Sequence, residues 1–409
     1  ALCSPDTARR WGIGGAKRIF HQIEAEAEGL TSLEERCRFL TERPADLFGR
    51  LLPNLLPLMV PGMGSRFVAE ARLQQWLGDT SGFAPILRAL PHNPTTEMDL
   101  ALWRLSRDLL AQGAEPSADH PGVQAFLAEY GHRAVREIDV GMPRWTDDPT
   151  HVLDVLRTYL SQTDDPEAHF RRGAEEAEQA AAALVERVRR EKGWLRSRVL
   201  RFLLSRARAL MGIREYPKFM AVRFIALMRK VLMAAGRDLV AAGRLDQPAD
   251  VFMLDLTDLT APGDLRARVA ENRAAYAREL ERRLAPRVIT STGETFYTAP
   301  VAVEGGLPGT PASPGSYEGR VRVILDPKGA KLEPGEILVA PGTDPAWTPL
   351  FLSAGALVME IGGIMSHGSV VAREYGIPAV VGVTDATHLL KTGQRVRVDG
   401  ESGVVVPLD

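Results

Sequence analysis

The chain has 409 residues, of which 45% are hydrophobic and 25% charged, so it is long enough for two or three domains with packed cores. Its 50 Lys and Arg residues against 52 Asp and Glu residues give a net charge of −2, which argues against nucleic acid or an anionic membrane as the main partner. Two cysteines, Cys3 and Cys37, provide no disulfide framework, and no apolar run has the length of a membrane-spanning helix. We therefore expect a cytoplasmic protein.

Residues 1–285 predict a large, mostly helical domain. This part of the chain is rich in Ala, Glu, Arg and Leu, which favour helices, and its apolar residues recur every three to four positions. The pattern predicts helices within 123–138, 152–161, 171–210, 219–243 and 264–284. Residues 250–259 are expected to form a short strand or an extended turn before the last of these helices.

Composition and periodicity change after residue 285. Residues 286–309 are rich in turn-forming residues and are expected to be a linker. Residues 300–409 hold 17 of the 37 glycines and carry 8 basic against 12 acidic residues, a net charge of −4. Short apolar or alternating runs predict strands at 319–325, 336–340, 356–359, 379–383, 394–398 and 404–406. The expected fold class is therefore multidomain α + α/β, with a helical domain over 1–285 and a compact domain over 310–409.

A histidine at the predicted start of a helix carries the strongest indication of chemistry. A strand ending near Met359 is followed by a glycine turn, and Ser366 is expected to cap a helix that begins near His367. Free N–H groups and the helix dipole favour an anion there and disfavour the imidazolium, which leaves a neutral nucleophilic nitrogen. Attack on a phosphoryl group would turn His367 into a phosphohistidine. The residues expected to support the phosphate are Gly362, Gly363, Ser366, Gly368 and Arg373. The alternative is a capped core helix with an incidental histidine.

The pattern GG-x-x-S-H-x-x-x-x-A-R-E-x-G-I-P-A-V-x-G, over residues 362–382, resembles the phosphohistidine signature of the phosphoenolpyruvate-utilising enzymes. Further matches lie at 313–315, 334–339, 343–349 and 398–400, so the resemblance covers essentially all of 310–409. It implies a swivelling β/β/α phosphohistidine domain with His367 as the carrier, which moves phosphate between two distant sites.

Within this family the sequence resembles the rifampin phosphotransferase group. The synthases and dikinases of the family usually have Thr two positions before the carrier histidine, where this chain has Met365. The Ser-His pair followed by Ala-Arg-Glu-Tyr-Gly is closer to the rifampin group. Segments of the helical part also resemble the substrate domain of that group, at 90–100, 130–139, 143–145, 214–218 and 250–252. The resemblance therefore implies that residues 1–285 bind the molecule that accepts the phosphate.

Arg214 and Lys218 are the first candidates for the acceptor site. They are four positions apart and would share one face of an uninterrupted helix, although Pro217 favours a kink or a new helix start between them. Their charges would suit a phosphoryl group that leaves His367. The alternative is a solvated basic face.

His132, Arg133 and Glu137 form a second polar group in the helical domain, together with Asp139. His132 is expected to orient or deprotonate an acceptor hydroxyl. The alternative is a buried polar network that fixes helix packing. No spacing of potential ligands indicates a metal site, and the histidines outside these motifs are expected to be structural or exposed. They are His21, His120, His151, His169 and His388.

The resemblance also implies components that we do not find in the sequence. In this family ATP and Mg²⁺ phosphorylate the carrier from an ATP-grasp domain N-terminal to the helical domain, and residues 1–299 contain no Gly-rich phosphate loop. We therefore expect ATP and Mg²⁺ to be bound by a domain absent from this chain, and no cofactor to be bound by the chain itself. Because the chain begins at Ala1 and not at Met, we expect it to be either a piece of a longer phosphotransferase or a subunit with an ATP-grasp partner.

Three functional interpretations remain open. The chain is a component of an ATP-dependent phosphotransferase in which His367 passes a phosphoryl group to a hydroxyl of a small molecule. Alternatively, it is a component like phosphoenolpyruvate synthase or pyruvate phosphate dikinase, or a non-enzymatic, degenerate carrier or ligand-binding module. The intact His367 argues against the last interpretation. Met365 argues against the second, as does the end of the chain at Asp409, without the C-terminal barrel of those enzymes.

Overall fold

The structure is a computed structural model that describes residues 4–160, 165–280, 286, 288–296, 305–327, 330–343, 347–364 and 366–408. Within these residues, helices make up the N-terminal part and a mixed sheet with short helices makes up the C-terminal part, so the chain has the expected α + α/β architecture. Of the linker predicted at 286–309, residues 287 and 297–304 lie outside the described residues. Strands β1 (Val288–Ile289) and β2 (Thr295–Phe296) form an antiparallel hairpin within it.

Ten α-helices are described in the N-terminal part. They are α1 (Pro5–Glu28), α2 (Leu33–Leu77), α3 (Pro94–Gln112), α4 (Pro121–Tyr130), α5 (Thr150–Leu160), α6 (Pro166–Lys192), α7 (Trp194–Met211), α8 (Tyr216–Ala241), α9 (Leu256–Thr260) and α10 (Arg266–Leu280). Short 3₁₀ segments lie at Ala84–Leu87, Gly212–Glu215 and Pro248–Met253. Side-chain caps fix several starts, since Ser32 forms a capping box with Glu35 and the Asn93 side chain accepts a bond from the Thr95 N–H.

The structure corrects three predicted elements. The helix predicted over 123–138 ends at Tyr130, where Gly131 is the C-cap, and residues 131–138 form turns. The helix predicted over 171–210 is two helices, because Gly193 has a φ of 92° and interrupts the chain between α6 and α7. The extended segment predicted at 250–259 is instead a 3₁₀ segment followed by α9, and a capping box between Asp255 and Asp258 closes the start of α9. A short apolar run does not by itself distinguish a strand from a helical turn.

Three apolar cores hold the helices together. The first joins α1, α2, α8 and α10, the second joins α3, α4 and α5, and the third joins α2, α6 and α7. Representative buried side chains in these cores are Phe20, Leu55 and Phe224, then Trp103, Phe126 and Tyr159, then Leu73, Leu184 and Leu204. Among the described helices, none combines the length and apolar composition that crossing a bilayer requires.

The C-terminal part is built on an eight-stranded sheet of order β3-β10-β9-β5-β6-β7-β8-β4 within the described residues. Its strands are β3 (Leu307–Pro308), β4 (Thr310–Ser313), β5 (Ser316–Val323), β6 (Ile337–Ala340), β7 (Ala356–Met359), β8 (Ala379–Val381), β9 (Arg395–Asp399) and β10 (Val404–Pro407). Strands β5 to β8 are mutually parallel, and the remaining pairs are antiparallel. Every residue of β6, β7 and β8 is buried, as expected for parallel strands covered on both faces.

Short helices cover this sheet and position the histidine. They are α11 (Thr348–Phe351), α12 (His367–Tyr375) and α13 (Ala386–Leu389). Trp347, Phe351 and Val371 pack from α11 and α12 against Leu357 and Val381 on one face of the sheet. Helix α12 follows β7, so its N-terminus lies at the carboxyl ends of the parallel strands, where ligand sites of such sheets usually form.

Candidate active site at the start of helix α12

His367 is the first residue of α12, and its neighbour Gly368 lets the helix start approach the sheet closely. A Cβ atom at Gly368 would lie 2.2 Å from Thr343 Oγ1 and 2.7 Å from Met359 Sδ. Gly362 has a φ of 148°, a conformation that side-chain-bearing residues rarely adopt. The two glycines therefore serve to bring the histidine loop against the end of β7. Met365 lies outside the described residues.

Ser366 occupies the N-cap position, but its hydroxyl forms no cap bond to the helix. The hydroxyl donates instead to the Gly363 carbonyl at 2.8 Å, and Ser369 Oγ donates to the same carbonyl at 2.8 Å. The side chains thus stiffen the loop and leave the first-turn N–H groups of α12 without a side-chain cap. Such N–H groups, at the positive end of a helix dipole, favour an anion.

The imidazole of His367 is partly buried and held in a defined position. Its Nε2 is hydrogen-bonded to Thr348 Oγ1 at 3.2 Å, and its ring centroid lies 6.3 Å from that of Phe351. Burial, together with the smaller effects of the positive charges of Arg133 and Lys218, lowers the pKa of His367 to about 3. His367 is therefore neutral at pH 7, the form in which a ring nitrogen is nucleophilic.

Arg133 and Lys218, whose charges act on His367, come from the helical domain and share one carboxylate. Arg133 Nε lies 2.6 Å from Glu137 Oε1, and Lys218 Nζ lies 3.4 Å from Glu137 Oε2. The side chains of Arg133 and Glu137 are only 3% and 10% exposed. Burial raises the pKa of the neighbouring Asp99 to about 8, so Asp99 is mostly protonated at pH 7. Arg133, Lys218 and Glu137 together carry one net positive charge toward the histidine, which suits a phosphoryl group.

His132 lies behind this cluster and packs its edge against Phe219, with ring centroids 4.8 Å apart and planes at 90°. Its buried Nε2 has no hydrogen-bond partner. Burial lowers the pKa of His132 well below its usual value, as do the charges of Arg133 and Arg223. The ring is therefore neutral, with one ring nitrogen unpaired, so both the acceptor-site and the packing interpretations remain predictions.

A cavity of about 170 Å³ lies on the other side of Phe219 in the helical domain. Its wall combines aromatic rings with charged groups, and the buried hydroxyl of Tyr216 in that wall has no hydrogen-bond partner. The lining residues are Arg9, Ile13, Lys17, His92, Pro94, Glu97, Glu129, Tyr130, Tyr216 and Phe219. Tyr216 begins α8, two positions before Lys218, so the same helix start contributes to the cavity wall and carries this cation.

Arg214 and Arg373 lie away from the imidazole. Arg214 donates to Glu215 Oε1 from Nε at 3.1 Å and from Nη2 at 2.8 Å. Arg373 donates to the Ala312 carbonyl at 2.9 Å, and Arg214 is among the charges that act on it. Pro217 lies in the first turn of α8, so Arg214 and Lys218 belong to successive elements, as the proline indicated. Phosphate contacts by Arg214 and Arg373 stay predictions.

Sequence patterns missed several residues around the histidine. Thr348 Oγ1 is hydrogen-bonded to Nε2 of His367, and the charge of His151 lowers the pKa of His367. His169 contacts the backbone of α12 at Tyr375. The sequence predicts that His151 and His169 are structural or exposed, and the contact of His169 with α12 is compatible with a structural role. Thr348 lies in a matched segment of the family pattern, which was the available signal, whereas His151 and His169 carry no local pattern. No group of three or more His, Cys, Asp or Glu side chains in the described part of the chain is arranged to hold a metal ion.

Comparison with protein families agrees with this arrangement. Residues 54–215 match the model of the rifampicin phosphotransferase fourth domain, and residues 332–403 match that of the PEP-utilising enzyme mobile domain. The C-terminal part therefore matches the mobile domain of the phosphoenolpyruvate-utilising enzymes, which confirms the resemblance found in the sequence. Within that family its similarity is to the rifampicin phosphotransferases.

Individual relatives support the same assignment. The rifampicin phosphotransferase of Streptomyces sviceus is 33% identical over 92% of this chain and 46% of its own length, and that of Bacillus subtilis is 32% identical over 92% and 48%. The prodigiosin synthesizing transferase PigC of Serratia marcescens is 33% identical over 69% of this chain and 33% of its own length. The chain thus spans about half the length or less of these curated relatives.

Proposed function

We propose that this chain is the phosphate-carrying and acceptor-binding part of an ATP-dependent phosphotransferase. The observation that carries the proposal is a neutral His367 at a helix N-terminus without a side-chain cap, where the positive charges of Arg133 and Lys218 of the helical domain act on it. A carrier histidine must be unprotonated to accept a phosphoryl group and must then meet cations where it gives the group away. The neutral imidazole and the nearby positive charges support both parts of this proposal.

The proposed transfer forms and breaks one bond in each half. In the first half, a ring nitrogen of His367 attacks a phosphoryl group, and the new N–P bond replaces the bond to its donor. In the second half, a hydroxyl oxygen of the acceptor attacks phosphorus, the N–P bond breaks and the hydroxyl proton passes to a base. Arg133 and Lys218 compensate the charge of the group in transit. The unpaired Nε2 of neutral His132 is the base we propose.

The cavity beside Phe219 is the acceptor site we propose. Its aromatic wall suits an apolar or aromatic body, and the unpartnered Tyr216 hydroxyl offers a hydrogen bond to a polar group. The acceptor in this proposal is a small organic molecule that presents a hydroxyl toward Lys218. The names of the relatives make rifampicin one compound to test.

ATP and Mg²⁺ enter the proposal as the phosphoryl source, bound by an ATP-grasp domain or subunit outside this chain. By analogy with the family, the carried group comes from ATP, with AMP and phosphate as the other products. This chain's own residues then receive the group on His367, shield it from water and deliver it.

Transfer of label tests the proposal. The chain is incubated with an ATP-grasp domain in trans and ATP labelled at the β-phosphate, freed of nucleotide, and then mixed with hydroxyl compounds, rifampicin included, or with pyruvate. We expect acid-labile label on the wild type and on the control variant His388→Ala, and none on His367→Ala. Discharge to a hydroxyl compound supports the proposal. Discharge to pyruvate alone would favour a component like the synthases and dikinases, and absence of label on the wild type would overturn both.

A further inference from the structure

The C-terminal half of α12 contacts the helical domain through the Glu374 carboxylate. Its Oε2 accepts a hydrogen bond from the Leu90 N–H at 3.1 Å, and its Oε1 accepts one from Asn93 Nδ2 at 3.3 Å. Both donors belong to the loop before α3, which we call the docking loop (residues 88–93). A partly buried carboxyl group therefore links the domain that carries His367 to the helical domain.

Neighbouring contacts surround this link. His169 Nε2 lies 3.3 Å from the Tyr375 carbonyl, and the two rings are 5.4 Å apart. Gly376 ends α12 against the guanidinium of Arg88, which a Cβ atom there would approach to 2.9 Å. These contacts leave Glu374 only partly exposed, so its two hydrogen bonds are shielded from bulk water and their loss is costly.

The docking loop has an unusual backbone. Ala89 and His92 adopt left-handed conformations, with φ values of 46° and 64°, which non-glycine residues rarely do. Such strain persists only where surrounding contacts impose it, and it is concentrated at functional sites. In this loop the Leu90 and Asn93 groups that face Glu374 alternate with the two left-handed residues.

The same loop reaches the proposed acceptor site. His92 lines the cavity beside Phe219. The Pro91 carbonyl packs so closely on Gly212 that a Cβ atom there would lie 2.1 Å away, and Gly212 begins the 3₁₀ segment that holds Arg214. Docking of α12 and the shape of the cavity therefore depend on one short segment.

We propose that Glu374 is a positioning residue that locks the carrier domain onto the docking loop, so that His367 is held at the acceptor site and docking responds to what occupies the cavity. The locking is a property of the two domains alone. Two further parts rest on the proposed function: that this locking promotes phosphoryl transfer from His367, and that a ligand in the cavity changes how tightly the domains dock.

Burial also makes the docking of the carrier domain through Glu374 depend on pH. Desolvation raises the pKa of Glu374 to about 7, although the bonds from Leu90 and Asn93 and the charges of Arg373 and Arg214 act in the opposite direction. His169 and Arg88 are the other basic groups that pack on this end of α12. Because docking raises the pKa, it favours the protonated acid. The stabilisation from this group is complete below the ordinary pKa of about 4.5 and is lost as pH rises through about 7.

Exchange of the Leu90 amide proton, measured by NMR on the intact chain, reports undocking without requiring any catalytic activity. We expect Glu374→Ala to speed this exchange by about 10-fold or more, since it removes the acceptor of two buried hydrogen bonds. Glu336→Ala is the matched control, because Glu336 accepts bonds from Arg322 and Glu333 within the carrier domain. It should leave Leu90 exchange unchanged.

Exchanging the donor and the acceptor between positions 93 and 374 tests whether Glu374 positions the carrier domain or only adds to the stability of the chain. Asn93→Asp keeps the cap of α3, which needs only an oxygen, but sets a carboxylate against Glu374 and should undock the domains above about pH 7, where Glu374 is ionised. Combining it with Glu374→Gln supplies an amide donor opposite that carboxylate. The double variant should restore exchange to within about threefold of wild type, and its Leu90 protection factor, corrected for the intrinsic exchange rate, should no longer depend on pH between pH 5 and 8. Separately, filling the cavity with an acceptor found by the transfer assay should slow Leu90 exchange in the wild type.

Three outcomes would refute the proposed role of Glu374 in holding the two domains together. Leu90 exchange unchanged in Glu374→Ala, equal acceleration in Glu336→Ala, or a double variant no better than Asn93→Asp would each show that Glu374 does not hold the domains together. A lock that behaves as expected in a chain whose His367 takes no phosphate would overturn the proposed function and leave the docking role intact. No effect of acceptor on exchange would overturn the response to the cavity alone.

Discussion

Replacing Glu137 with Gln tests whether the cations facing His367 form a balanced buried cluster. The Arg133 side chain is 3% exposed and lies 2.6 Å from the Glu137 carboxylate, so the change leaves a buried guanidinium without its counter-charge. Breaking one partner of such a pair costs about 3–5 kcal/mol. Lys218 is 47% exposed, so its share of the loss is below about 1 kcal/mol. We therefore expect a loss of about 3–5 kcal/mol in unfolding free energy, measured by urea denaturation of the intact chain.

Glu178→Gln is the matched control for this experiment. Glu178 lies 2.7 Å from Arg208 but is 70% exposed, and Arg208 retains its bonds to the Ile86 and Arg88 carbonyls, so the loss should be below about 1 kcal/mol. Inorganic phosphate should stabilise the Glu137→Gln variant more than the wild type, because an anion replaces the missing charge. Equal losses in the two variants, with no differential effect of phosphate, would refute the balanced cluster.

Three further predictions concern the histidine loop. Because burial holds the pKa of His367 near 3, its NMR signals should not titrate between pH 5 and 8, and its contribution to stability should fall as pH drops from about 6.5 toward 3; titration near 6.5 would contradict this. Gly368→Ala should cost about 1–3 kcal/mol in urea denaturation through its clash with Thr343 and Met359, whereas Gly363→Ala, with open space around it, should cost less than half as much; equal costs would be contrary to the packing described. Thr348→Val should slow single-turnover discharge of the labelled carrier about 2- to 12-fold by removing the bond to Nε2, and an unchanged rate would mean that this bond does not orient the ring.

Local patterns predicted the sheet well because its central strands are short apolar runs between turn residues. The strands predicted at 336–340, 356–359 and 379–383 correspond to β6, β7 and β8 within two residues at each end. The helical part followed local rules less closely. Helix α2 runs from Leu33 to Leu77 through Pro44, Pro53, Pro57 and Pro61, each of which would ordinarily break or kink a helix. Its buried leucines pack against neighbouring helices, and this packing outweighs the local preference.

Part of the candidate site could likewise be predicted from local sequence, and part could not. His367 and its glycines could be predicted because turn, cap and helix start are contiguous in the sequence. Glu137 reaches Arg133 along one short segment, but Lys218 and Thr348 come from other elements, and no local pattern shows that they meet at the histidine. The contact between Glu374 and Leu90 spans 284 positions, so only the folded chain reveals it.

The identity of the phosphorylated residue tests the central claim most directly. The chain is incubated with an ATP-grasp domain in trans and ATP, kept at neutral or alkaline pH to preserve an N–P bond, and mapped by tandem mass spectrometry. We predict one phosphate per chain on His367, its absence in His367→Ala and its presence in His388→Ala. Phosphate on another residue, or phosphorylation that persists in His367→Ala, would contradict the assignment of His367 as the carrier.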